Sequence, residues 1–172
     1  MDLRKKKTLR AIREAFFDLR RQKNLEEITV TELANLAQIS KATFYLHYRD
    51  IFDLSDKLQQ EVIQNVLNQI GDPMEIVTDA RAFMLKLLHA MESETATIDP
   101  LFSGSQAAAL PISIVHSLKE RIFSQSPDLK NDVKLNVFIS YHIHGGYSAY
   151  MENIRFWEYQ NVVDAIQLLQ KP

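Results

Sequence analysis

Residues 28–54 read ITVTELANLAQISKATFYLHYRDIFDL, and the fold follows from this stretch. Thr29 is followed three residues later by Glu32, a capping box in which each side chain satisfies the other residue's backbone N–H. The box opens a short helix whose inner face is Leu33, Ala34 and Ala37. Gln38-Ile39-Ser40 interrupts the pattern, and Ser40 caps a third helix, Lys41 to about Tyr48. Asp50 caps a fourth, Ile51 to about Ile70, with Asp53 at its third position and Phe52, Leu58, Val62, Val66 and Ile70 near one stripe.

Short helix, three-residue turn, short helix is the spacing of a helix-turn-helix. Two helices that cross steeply need small side chains where they touch, supplied here by Ala34 and Ala37, and an apolar plug in the turn, supplied by Ile39. The second helix of such a pair must present short or polar groups outward, because bulk there would hold it off the base edges. Lys41, Ala42, Thr43 and Tyr45 suit that role, while Phe44 points inward. Thr43 can hydrogen-bond a base or offer its methyl to thymine, and Ala42 permits close approach. Thr29 and Thr31 at the start of the preceding helix, with Ser40, Tyr45, His47 and Tyr48, are placed for phosphates, which fix register without reading sequence. Tyr48 has a second reading as a rim aromatic.

Upstream, Leu9, Ile12, Phe16 and Leu19 recur at spacings of three and four between Arg and Lys, an amphipathic helix ending near Lys23-Asn24. Downstream, Gly71-Asp72-Pro73 stops the fourth helix. Further helices are expected from about Glu75 to Glu92 and from Leu101 to Leu110. Pro111 should break the chain before another from Ser113 to Ser124, and Ser126-Pro127-Asp128 should open a long one from Leu129 to Asn153. The last runs from Trp157 to Gln170. No segment alternates as a strand would, so the expected fold class is all-α: an N-terminal helix-turn-helix domain over residues 1–49 and a helical body over residues 50–172.

Composition narrows the function. The chain has 172 residues, 46% of them apolar, and a formal net charge of -2. Residues 1–50 hold 11 Lys+Arg against 7 Asp+Glu, net +4, and residues 51–172 hold 9 against 15, net -6. A basic head on an acidic body suggests that only the head meets a polyanion, the bland alternative being a solvated charged helix from Arg4 to Arg13. Cysteine is absent, so there is no disulfide framework, thiolate metal site or cysteine nucleophile. The N-terminus MDLRKKKTLRAIREAFF lacks the apolar run of a signal peptide, and no stretch approaches the roughly 20 apolar residues of a membrane span. A cytoplasmic location is the expectation.

Thr29, Leu33-Ala34, Ala37, Ser40, Thr43-Phe44-Tyr45, His47-Tyr48 and the acidic cap before Leu54 together resemble the DNA-binding segment of the TetR family of transcriptional regulators. The resemblance spans roughly Thr8 to Leu58; the rest agrees only in helical layout. It departs at two points. The family often has Gly where Gln38 stands, which would oblige Gln38 to adopt a left-handed or strained backbone. It often places Lys where Ile51 stands, which leaves Arg49 to replace a phosphate contact.

The resemblance implies a homodimer that binds a near-palindromic double-stranded operator, usually as a repressor, with the remaining helices pairing subunits and enclosing an effector pocket. For the interface the residues offer Phe138, His142, Gly145, Gly146 and Tyr150 on the long helix, and Trp157, Val162 and Ile166 on the last. Gly145-Gly146 costs about 1 kcal/mol per Gly within a helix, tolerable where another backbone comes close; the alternative is a kink. Phe83, Leu87, Met91, Phe102, His116 and Tyr141 are the candidate lining for a small-molecule effector, though a protein could equally be the trigger.

An enzyme is the first rival class. His142 and His144 lie two apart, so on a helix they point about 200° apart and cannot chelate one ion. No phosphate-cradling loop, nucleophile elbow or paired carboxylates appear, and no catalytic residue, metal or cofactor is expected. The second rival is a helical interaction module or co-activator with the same fold, working through a protein partner without an operator of its own.

Overall fold

A computed structural model describes residues 3–169, all in helices, turns and connecting segments, with no strand among them. The first helix, α1 (Leu3–Arg20), buries Ile12, Ala15, Phe16 and Leu19, the stripe its sequence sets. It stops short of Lys23-Asn24 because Arg20 folds over its end: one guanidinium nitrogen donates to the Lys23 carbonyl at 2.9 Å. A 3-10 turn (Leu25–Glu27) leads into α2 (Val30–Leu36) and α3 (Lys41–Tyr45). Next comes α4 (Ile51–Ile70), whose first turn is capped by the Asp50 carboxylate accepting from the Asp53 N–H at 2.8 Å. Its buried apolar positions are Ile51, Leu54, Leu58, Val62, Ile63, Val66, Leu67 and Ile70, along one stripe, and Asp53, Ser55 and Gln59 are buried beside them. Phe52, expected near that stripe, is one step out of phase and exposed. Gly71, at φ +88°, ends the helix in the left-handed conformation that suits glycine.

Beyond Gly71 the expected Glu75–Glu92 helix is two: α5 (Glu75–Thr78) and α6 (Ala80–Ser93). Asp79 divides them, its carboxylate capping α6 by accepting the Ala82 N–H at 2.9 Å. Then follow α7 (Thr95–Leu101) and a 3-10 turn (Gly104–Gln106), where a helix from Leu101 to Leu110 was expected. Pro111 does not break the chain: it sits in the first turn of α8 (Ala109–Gln125), where a missing N–H leaves nothing unpaired. The long helix, α9 (Val133–Asn153), begins four residues late because Pro127–Asn131 forms a 3-10 turn and Asp132 supplies the cap, accepting from Leu135 N–H at 3.1 Å. The last is α10 (Tyr159–Leu169); its expected end at Gln170 lies outside the described residues, as does the side chain of Leu169.

The chain forms two compact units. The first takes the chain up to Glu61 and, from much later, Ala96–Ala107; the second takes Val62–Thr95 and the chain from Ala108 onward. The excursion is tied into the first unit by polar side chains. Buried Arg20 donates to the Ser103 carbonyl (3.2 Å) and hydroxyl (2.8 Å), Ser105 donates to the Glu26 carboxylate (2.5 Å), and Gln59 donates to the Leu101 carbonyl (3.1 Å). Gly104, at φ +60°, is required there, since a Cβ would stand 2.5 Å from the Asn24 side-chain oxygen. In the second unit α6 and α10 share a cluster of Leu88, Val162, Val163 and Ile166, and α9 contributes Ile139 and Ile143 to the core. No helix among the described residues is long and apolar enough to cross a membrane.

Candidate nucleic-acid interface

The surface around α2 and α3 is built by two side-chain caps and one unusual backbone. Thr29 Oγ1 accepts from the Glu32 N–H at 3.2 Å, the expected half of the capping box. The Glu32 carboxylate goes instead to the Lys23 ammonium at 2.6 Å, and the back-reaching bond is made one turn earlier, from Asn24 N–H to the Glu27 carboxylate (2.8 Å). After α2 the chain reverses at Gln38, whose φ of 54° is the left-handed value anticipated for it. The Ile39 N–H then returns to the Ala34 carbonyl at 2.9 Å. Ser40 caps α3, accepting from the Thr43 N–H at 3.0 Å, and its hydroxyl also pairs with that of Thr43 at 2.8 Å.

This leaves α3 sharply two-sided. Phe44 is 0% exposed and anchors the helix, while Lys41, Ala42 and Tyr45 (56% exposed) face outward with Thr43 half-buried at the rim. Thr29, Thr31 and Ser40 are exposed beside them, and Lys41 Nζ donates to Thr31 Oγ1 at 3.3 Å, so the starts of α2 and α3 form one polar surface. Helix α3 is shorter than expected: its regular part ends at Tyr45, with Leu46 as a C-cap that keeps a right-handed helical backbone, and the half-buried His47 and Tyr48 follow in a turn whose N–H groups both return to the Phe44 carbonyl. Two apolar side chains share the exposed surface of this segment, Leu36 and Leu46, the latter 80% exposed. Sequence reading passed over them, although Leu46 lies about 200° round from Phe44 on a helical wheel and so could not be buried with it.

Behind α3 lies a charge cluster, also missed, around buried Asp53. Its carboxylate accepts the Arg49 backbone N–H (3.0 Å), the Lys57 ammonium (2.9 Å) and the Arg49 guanidinium (3.3 Å). The Lys57 bond, the Arg49 N–H and the two positive charges pull its pKa down to about 2. Lys57 also lies over the Tyr48 ring, 5.0 Å from its centre, and Tyr48 packs on Phe44 at 5.7 Å. Burial, with the negative charge of Glu61, raises the Tyr48 phenol above its ordinary value. Tyr48 is thus half-buried between Phe44 and Lys57, and Arg49 shares its charge with Asp53. Ile51 is buried in the core rather than standing on the surface. The Asp53/Lys57 pair is visible as an i,i+4 spacing, the signal that could have found it.

The six candidate pocket residues differ in burial and in the unit they belong to. Phe83, Leu87 and Met91 are buried core of the second unit, His116 and Tyr141 are exposed, and Phe102 belongs to the first unit. Of the candidate interface residues, Val162 and Ile166 are core in their own chain, each 4% exposed. Phe138 and His142 are half-buried, their rings tilted at 34° with centres 3.9 Å apart, and His142 Nδ1 lies 2.9 Å from the Phe138 carbonyl. Gly146 is buried, Tyr150 half-buried, and Gly145 and Trp157 exposed. A groove of about 370 Å³ runs past Ala149, Asn153, Trp157 and Val162. No group of three or more His, Cys, Asp or Glu among the described residues is placed to hold a metal.

No protein-family model, curated protein or solved structure matches this chain.

Proposed function

We propose that this chain is a DNA-binding transcriptional regulator of the TetR type, a homodimer that lays α3 of each subunit into the major groove of a near-palindromic operator and acts as a repressor. One observation carries the proposal: α3 is pinned by fully buried Phe44 between two side-chain-capped turns and presents Lys41, Ala42, Thr43 and Tyr45 outward. In this role Thr43 reads a base edge and Ala42 allows the approach. Lys41, Thr29, Thr31, Ser40, Tyr45 and His47 meet phosphates, and Arg49 does so only in competition with Asp53. Two such helices about 34 Å apart read successive half-sites, which one alone could not do selectively. An effector, small molecule or protein, would release DNA by binding unequally to two spacings of the helices.

A second reading, an interaction module that works through a protein partner, draws on exposed Leu36 and Leu46 beside the polar face. Binding to duplexes from the gene's own upstream region at several salt concentrations separates the two. A regulator binds one near-palindromic duplex and loses affinity steeply with salt, and Lys41→Ala lowers the salt slope by about one. Thr43→Ala costs about 1–3 kcal/mol of specific binding. Weak, sequence-blind retention that Thr43→Ala and Tyr45→Ala leave unchanged would contradict it.

A further inference from the structure

The Asp53 carboxylate has two cations beside it where one would balance it. Its side chain is 9% exposed, and both oxygens are engaged. Oδ2 accepts the Arg49 backbone N–H at 3.0 Å and the Lys57 ammonium at 2.9 Å. Oδ1 accepts the Arg49 guanidinium, at 3.3 Å from Nη2 and 3.4 Å from Nε. A carboxylate this far from water needs a cation, and stripping it of every cation would be costly. Two positive charges against one negative leave the group with one cation in excess.

The two cations are held unequally. Lys57 sits in a three-sided seat: its ammonium bonds Asp53, reaches the His47 carbonyl at 3.4 Å and lies 5.0 Å from the centre of the Tyr48 ring. The Arg49 guanidinium bonds Asp53 alone among the described residues, through contacts at the long end of the hydrogen-bond range. Its side chain is 84% exposed, against 51% for Lys57. A pair so exposed is held weakly in water, so Lys57 keeps the carboxylate and Arg49 is the cation free to leave. It leaves from the turn that ends α3, four residues beyond exposed Tyr45.

We propose that Lys57 is a positioning residue for DNA: by neutralising Asp53 it releases the Arg49 guanidinium to a backbone phosphate, without touching the duplex itself. The assignment deepens the regulator reading, on which it rests, because a third group decides the competition between phosphate and Asp53 for Arg49. Without Lys57 the carboxylate would keep only the Arg49 N–H. A guanidinium can grip both carboxylate oxygens through parallel N–H bonds, and Arg49 would close onto Asp53. Its charge would then be cancelled inside the protein. With Lys57 in place, moving Arg49 from Asp53 to phosphate leaves neither anion without a cation.

The salt dependence of binding to duplexes from the gene's own upstream region tests this role. Lys57→Met keeps the aliphatic stem over Tyr48 and removes only the charge. It should lower the steepness of log affinity against log salt by about one per bound subunit, as Arg49→Ala should. The double variant R49A/K57M should fall no further than R49A, because both changes remove the same phosphate contact. Lys57→Arg should keep the wild-type slope. Asp53→Asn added to K57M should restore it, since no carboxylate remains to capture Arg49. Without DNA, the Arg49 Nε–H should exchange with solvent more slowly in K57M than in the wild type, which a loss of packing would not produce. A double variant that loses about two per subunit would show Lys57 bonding phosphate itself, and a slope that K57M leaves unchanged would show Arg49 free without it; either overturns the proposal. A wild type that binds no duplex would overturn the regulator reading as well.

Discussion

Gln38 holds a left-handed backbone at φ 54° without being glycine. A non-glycine residue there carries about 1–2 kcal/mol of strain, part of which glycine would give back as lost chain entropy. Gln38→Gly should therefore raise unfolding stability by up to about 1 kcal/mol in urea titration, and a loss would mean that the Gln38 side chain does more than turn the chain. Phe44, fully buried, should cost about 3–5 kcal/mol when changed to Ala. Asp53 sets a pH dependence with a definite sign. Its folded pKa of about 2 lies below the ordinary 3.8, so its contribution is present above about pH 4 and is lost as pH falls through about 2. Asp53→Asn should lower the melting midpoint at pH 7 and flatten its fall between pH 4 and 2; a parallel fall in both proteins would show that other carboxylates govern that window.

At the scale of elements, boundaries were legible wherever a short-range signal fixed them. Asp50 and Gly71 bracket α4 at the expected residues, and Thr29 and Ser40 cap the helices expected of them. Boundaries slipped where two signals competed. Pro111 serves equally as breaker or first-turn residue, and Asp132 outcompeted Ser126-Pro127 as the start of α9. Asp79 divided a continuous apolar pattern because its side chain could cap what followed. Ser40→Ala should cost about 1 kcal/mol by removing the acceptor of the Thr43 N–H. It should also weaken duplex binding more than its stability loss explains, since Thr43 loses its hydroxyl partner. Equal binding by the folded variant would separate the cap from the reading surface.

At the scale of the whole chain, the sequence placed Phe44 inward and the Lys41-Ala42-Tyr45 face outward, because a short helix with one large apolar residue has only one way to sit. Contacts between distant residues were not legible. Nothing local announces that Arg20 will hold Ser103, or that Ala96–Ala107 will return to the first unit. Nor could residue type separate buried Ile139 and Ile143 from exposed Val133 and Val137 on α9, since all four are β-branched and apolar. For the same reason the pocket candidates, chosen by apolar or aromatic type, scattered between core and surface.

Footprinting on the gene's own upstream DNA tests the regulator reading most directly. Two protected major-groove patches, one helical turn or about 10 base pairs apart, at two protomers per site, and abolished together by Tyr45→Ala, are the predicted result. A single patch at one protomer per site, or uniform protection with no preferred position, would contradict it.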